Sequence, residues 1–258
     1  EYFWGYMPVN FFAPASHYSF NPKQASGIPE FQEVVSAFHD KGMAVILDVV
    51  YNHIGVPNHL ARIDKGLYFA TDKFDRLTNH SGCGNDLRAN SSAARRLVID
   101  SLKYLVRTFD VDGFRLDLAE LLGIEFLREI EHELLSIKPS LHLIAEPWSF
   151  RGRLPDAMSE TTYSLWVDDL REGLLDYALG KGDASSVLRW LQGSPGGVSA
   201  RPSQTVNYVE SHDDYAFIDR LTERPRRNGS NPTELDLRRH RLALAVLLAS
   251  PGVPMLSA

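Results

Sequence analysis

The sequence predicts an α/β fold of barrel type, a parallel sheet whose strands alternate with helices. Three observations predict it. Short, nearly continuous runs of β-branched and apolar residues recur along the chain, the pattern of strands buried on both faces. Amphipathic stretches with helical spacing lie between the runs. Several runs end on ionisable residues, and in α/β barrels the active site gathers at the carboxyl ends of the strands.

From the N-terminus, residues 29–41 place Phe31, Val34, Val35 and Phe38 at helical spacing, and Gly42 stops the helix. Residues 43–50 (MAVILDVV) form the first strand and lead into Tyr51, Asn52 and His53. Residues 54–90 are rich in Gly, Asn, Asp and His and show little periodicity; an irregular excursion of this length is usually functional. A helix over 91–109 is carried by Leu97, Val98, Leu102, Leu105 and Val106. Residues 111–117 (VDGFRLD) and 141–146 (LHLIAE) are strands ending on carboxylates, with a helix over 124–137 between them. A strand near 162–167 passes into a helix that reaches Leu179. Residues 193–203 (GSPGGVSARPS) read as a flexible connector. The strand at 205–209 (TVNYV) runs into Glu210, Ser211, His212, Asp213 and Asp214; a helix over 235–248 and a strand at 253–256 (VPML) follow. The βα rhythm resumes after both breaks, so residues 1–258 read as one barrel segment with an excursion at 54–90.

Composition narrows the function. The chain has 258 residues, 44% of them hydrophobic, which allows a packed core. A net charge of −6 disfavours nucleic acid and suits a neutral ligand such as a sugar. Cys83 is the only cysteine, so no intramolecular disulfide can form and the redox compartment is not readable. No run reaches the roughly 18 apolar residues of a membrane span. No signal peptide opens the chain, which does not begin with Met. The compartment stays open, with the cytoplasm favoured over secretion.

Four predicted strands deliver ionisable groups at their carboxyl ends: Asp48 and His53, Arg115 and Asp117, Glu146, and His212 with Asp213. Side chains alternate along a strand, so Arg115 and Asp117 share one face, where the guanidinium would hold Asp117 ionised. Three carboxylates around one cavity suit glycoside cleavage, in which one carboxyl donates a proton and another attacks. Phosphoryl transfer lacks a P-loop or GxGxxG after a strand. Zinc chemistry is disfavoured because His53, His59 and His80 lack HExxH or CxxC spacing. Each residue also has a plainer reading. Asp48 and Arg115 can be a buried structural pair, Asp117 or Glu146 a helix cap, and His212 a satisfied barrel histidine. Trp4, Tyr6 and Trp148 can be core or rim aromatics. Asp213 has the opposite parity to Glu210, so pattern alone does not aim it inward.

Together the strand-end motifs resemble the α-amylase superfamily of glycoside hydrolases. Residues 48–53 (DVVYNH) look like its first signature, 113–117 (GFRLD) its second, 146–148 (EPW) its third and 206–213 (VNYVESHD) its fourth, all in order. The resemblance implies roles. Asp117 would attack the anomeric carbon, Glu146 would serve as general acid and base, and Asp213 would stabilise the transition state. Arg115 would orient Asp117, with Asp48 in support. His53 and His212 would bind sugar hydroxyls, and Tyr6 would stack under the sugar. Trp148 would line the cavity.

The GCGND stretch at 82–86, the Glu-Pro-Trp signature and the FWGYMPVNFFAP opening resemble pullulanases, isoamylases and glycogen-debranching enzymes, which cut α-1,6 branch linkages. Asp214 departs from the pattern, since many pullulanases are expected to carry an uncharged residue there. Rival readings are an amylase- or transferase-type relative acting on α-1,4 bonds, and a non-catalytic α-glucan-binding relative. The expected partner is an α-glucan polysaccharide or oligosaccharide, with no nucleic acid or membrane. No cofactor is expected; many relatives use calcium, but no Asp/Asn cluster fixes a site. The family fold is a (β/α)8 TIM-type barrel, of which this chain would supply roughly strand 3 to strand 8.

Overall fold

The computed structural model describes residues 4–193, 201–222 and 231–257, so most of the connector expected over 193–203 lies outside the described residues. The chain divides into two compact units, Glu1–Pro155 and Asp156–Ala258.

The first unit runs through α1 (Gly27–His39), β1 (Ile46–Val49), α2 (His59–Tyr68), α3 (Ser92–Phe109), β2 (Gly113–Leu116), α4 (Ile124–Leu135) and β3 (His142–Ala145). A hairpin of β4 (Trp148–Ser149) and β5 (Gly152–Arg153) follows. Strands β1, β2 and β3 pair in parallel in that order. In α3, Ala94, Val98, Leu102 and Val106 fall at every fourth position and form one buried stripe. The helix ends where Asp110 turns left-handed (φ 55°) and its N–H bonds back to Val106. β2 is buried along its whole length. Burying Phe114 and Leu116 there contributes about 1.5–3 kcal/mol each. A Cβ on Gly113 would lie 2.2 Å from the carbonyl oxygen of His142, so only glycine lets β2 come this close to β3. β1 is half open, and Ile46 is 39% exposed.

The second unit contains β6 (Ser164–Val167), α5 (Asp168–Ala178), α6 (Ala184–Leu191), β7 (Thr205–Asn207), α7 (Phe217–Thr222), α8 (Glu234–Ala249) and β8 (Val253–Pro254). β6, β7 and β8 pair in parallel. Its core gathers Leu170, Leu174, Trp190, Phe217, Leu221 and Leu247. α5 starts directly after β6 with Asp168 and Asp169 in its first turn, where carboxylates favour the positive end of the helix. α8 opens on a reciprocal cap. The Thr233 hydroxyl accepts from the Asp236 N–H, and the Asp236 carboxylate accepts from the Thr233 N–H.

The α/β class and all six expected strands are present, each shorter than the apolar run that announced it. The expected helices occur with ends shifted by a few residues. The excursion at 54–90 carries more order than its composition suggests. Asn58 caps α2 by accepting from the Ala61 N–H, the helix is kinked at Asp64, and isolated antiparallel bridges join Phe69 to Leu87 and Thr71 to Leu77. The helices α2, α6 and α7 and the β4–β5 hairpin were not expected.

Candidate active site

Strand register sets up the site. Asp48 on β1 is the direct partner of Arg115 on β2. The ladder continues one residue past both strand ends, with the Asp117 N–H on the Val49 carbonyl and the Glu146 N–H on the Leu116 carbonyl, each at 3.1 Å. Asp117 and Glu146 therefore stand just beyond the carboxyl ends of adjacent parallel strands.

Arg115 joins them. Its Nη1 donates to Asp48 Oδ1 and Asp117 Oδ1, both at 2.9 Å, and its Nη2 donates to Glu146 Oε2 at 2.9 Å. The period-two expectation for Arg115 and Asp117 is met by direct contact. Burial works against the charge on Arg115, but Asp48, Glu146 and Asp117 outweigh it and raise its pKa. Although 37% of the Asp48 side chain meets solvent, the surrounding protein pushes its pKa above the ordinary carboxylate value, against the pull of Arg115 and Tyr6.

Glu146 is buried, and its Oε2 also accepts the Leu118 N–H at 2.8 Å. Leu118 is left-handed (φ 40°), an arrangement costing a leucine roughly 1–2 kcal/mol. The Ala119 N–H on the Glu146 carbonyl, at 3.0 Å, helps hold this turn directly after Asp117.

On the other side, Asn52 Nδ2 donates to both the main-chain oxygen and Oδ2 of Asp117, each at 2.8 Å. His53 places Nδ1 2.5 Å from Asn52 Oδ1 and Nε2 2.7 Å from the Tyr6 carbonyl oxygen. Both ring nitrogens thus face protein acceptors, and His53 reaches a sugar only by giving up the Tyr6 carbonyl. The Tyr6 hydroxyl donates to Asp48 Oδ2 at 2.7 Å; burial and the neighbouring Asp48 push its pKa up, so it stays a donor. The excursion is tied to the same strand end. Asn85 brackets Ile54 by accepting from its N–H and donating to its carbonyl, and Asp86 accepts from the N–H groups of His80 and Ser81.

Six of the expected residues, Tyr6, Asp48, His53, Arg115, Asp117 and Glu146, thus form one connected group. Trp148 lies two residues beyond Glu146 in the hairpin, half-buried, with Arg153 5.4 Å from its ring centroid. A cavity of about 520 Å³ beside β1 is lined by Trp4, Tyr6, Phe11, Asp48 and Phe109, but not by Asp117, Glu146 or Trp148. His212 and Asp213 belong to the second unit, where Nε2 and Oδ1 lie 3.2 Å apart and the Trp166 ring meets His212 edge-on. Asp214 is accommodated by Arg220, whose Nη1 is 3.2 Å from its Oδ2. Among the described residues, no group of three or more His, Cys, Asp or Glu side chains could hold a metal ion, and no helix is long and apolar enough to cross a membrane. Asn52 was missed in the sequence, although it sits inside the first signature.

No family model matches the chain. The pullulanase of Bacillus subtilis is 31% identical over 99% of this chain. A glycogen operon protein GlgX homologue of Mycobacterium bovis is 30% identical over the same share. The chain is homologous to the debranching enzymes of the α-amylase superfamily. It spans about two fifths of these relatives, 39% of the pullulanase and 42% of the GlgX homologue. Solved pullulanases carry the same fold. The type I pullulanase of Bacillus subtilis, complexed with maltose, matches 98% of this chain at a TM-score of 0.87 and 30% identity. The pullulanase of Paenibacillus barengoltzii, in complex with maltohexaose and alpha-cyclodextrin, matches 98% at 0.85 and 28% identity. The chain covers 39% and 44% of these two structures, so its sheets are a fragment of the pullulanase (β/α)8 barrel.

Proposed function

We propose that the protein is a retaining glycoside hydrolase that cleaves α-1,6 branch linkages in starch-, glycogen- or pullulan-type glucans. The observation that carries this reading is Arg115 held between Asp117 and Glu146 at the ends of adjacent strands. Two carboxyl groups within reach of one guanidinium favour the short separation of retaining enzymes, about 5–5.5 Å, over the ~6.5–9.5 Å of inverting ones. An oxygen of Asp117 forms a bond to the anomeric carbon as the glycosidic C–O bond breaks, and Glu146 gives its proton to the leaving oxygen. Glu146 then takes a proton from water, which attacks the same carbon and frees Asp117. Glu146 Oε2 already accepts two N–H donors, so the transferred proton belongs on Oε1. By the same resemblance Asp213 stabilises the oxocarbenium-like transition state, His53 and His212 bind hydroxyls, and Tyr6 and Trp148 offer flat faces to the sugar. The maltose and maltohexaose in the solved relatives support an α-glucan ligand.

The test is product analysis with the protein at its native length on pullulan, amylopectin and linear amylose. Release of linear chains from the first two, with amylose intact, is expected. Cleavage of amylose would point instead to the α-1,4-acting relatives, and binding without turnover to a non-catalytic one. Asp117→Asn and Glu146→Gln are each expected to lower turnover by on the order of 10⁴-fold while keeping the fold. Near-normal rates would return both carboxylates to a structural role.

A further inference from the structure

Asn52 is buried at the end of β1, and its surroundings leave its amide one orientation. The side facing Asp117 meets two oxygens at 2.8 Å, so the NH2 group must lie there; a reversed amide would set oxygen against oxygen. Oδ1 then faces His53 Nδ1, which must carry a proton to donate. His53 Nε2 lies 2.7 Å from the Tyr6 carbonyl, a second acceptor, and can donate to it only while the ring carries both protons. The main chain of Asn52 is anchored too, its carbonyl accepting the Leu87 N–H at 2.8 Å.

We propose that Asn52 is a positioning residue for Asp117, clamping the carboxylate in its attacking orientation through a donor whose direction His53 enforces. This rests on the proposed role of Asp117 as nucleophile. Arg115 holds Oδ1 and Asn52 holds Oδ2, so rotation of the carboxylate is blocked from both sides. Holding the main-chain oxygen as well ties the side chain to the strand end that carries it. The groups facing the His53 ring are the Tyr6 carbonyl, Asp117 and Asp86, which favour its charged form; burial opposes them and prevails.

The experiment compares Asn52→Ala, Asn52→Asp and Asp117→Asn with the wild type at native length. Asn52→Ala is expected to lose kcat by on the order of 100-fold with KM near wild type, since the amide aims the nucleophile without touching sugar. Asn52→Asp sets a second carboxylate beside Asp117 Oδ2. The pair shares one proton, and the acid limb of kcat/KM moves up by about one pH unit or more. A merely structural role would lower the melting temperature and leave that limb in place, which would overturn the proposal. So would a wild-type kcat in a folded Asn52→Ala. Should neither variant fold, ring ¹⁵N shifts of His53 in the wild type decide: a protonated Nδ1 is expected, and a bare Nδ1 overturns the amide orientation. An active Asp117→Asn would instead overturn the nucleophile reading beneath.

Discussion

At Arg115 one positive charge is divided among three carboxylates, with 5% of its side chain exposed. Removing it strands Asp117 and Glu146 without a counter-charge, and breaking a buried pair from one side costs about 3–5 kcal/mol. Arg115→Met is therefore expected to lose stability on that scale in chemical unfolding of the native-length protein. A loss under about 1 kcal/mol would show that water already screens the group. Most of this cluster was legible in the sequence because it obeys simple rules. Charged residues ended apolar runs, and a period of two put Arg115 beside Asp117. Asn52 was not legible. An uncharged amide leaves no mark in a charge or hydropathy pattern, and its partner Asp117 is 65 residues away. The hydrogen bonds of His53 were hidden for the same reason, since its partner on one side is the main chain of Tyr6.

Among elements, Asp112 ties several together. Its Oδ2 accepts the Val45 N–H at 2.8 Å and lies 2.8 Å from His39 Nε2, and its Oδ1 lies 3.1 Å from Lys138 Nζ. One carboxylate thus links the end of α1, the approach to β1, the start of β2 and the chain after α4. Burial opposes its ionisation, but the hydrogen bonds from Val45, His39 and Lys138 win and bring its pKa down to about 2. A depressed carboxylate contributes stability above its unfolded value, and that contribution fades as pH falls from 3.8 toward about 2. Asp112→Asn is expected to cost about 1–3 kcal/mol at neutral pH and to flatten the stability curve across that acid window; an unchanged acid limb in denaturant titrations would contradict it. In the second unit, Gly173 lies under Trp190, and a Cβ there would come within 2.2 Å of the indole. Gly173→Ala is expected to force α5 and α6 apart at about 1–3 kcal/mol, read as a lower melting temperature. α5 itself was readable from its apolar spacing. α6 is only eight residues long and buries just Val187 and Trp190, too few positions to establish a period. The strands came out shorter than their apolar runs because hydrophobicity marks burial, while a ladder ends where hydrogen bonds turn to loops and side chains.

At the scale of the molecule, each unit holds three parallel strands among the described residues, and apolar surface is left uncovered on β1, where Ile46 is 39% exposed, and just before it, where Met43 is 46% exposed. Phe20, Val34 and Phe38 add to the open surface of the same unit. An uncovered strand edge beside apolar side chains invites association with other chains. Residues 1–258 expressed alone are expected to aggregate or lack activity, while a version extended at both ends stays soluble and cleaves branched glucan. A soluble, monomeric and fully active short segment would refute this. The number and direction of the strands could be read from the sequence because each βα repeat carries its own pattern. The division at Pro155 could not, since nothing in the local composition marks it. The pairing of Asp48 with Arg115 has an evolutionary consequence. Substitutions can be absorbed one at a time, but a single-residue insertion or deletion in β1 or β2 would turn every following side chain to the opposite face and part the two charges. Changes of length in descendants of this sequence should therefore accumulate between strands, above all in residues 54–90, and the charged cluster should pass from ancestor to descendant as an undivided block.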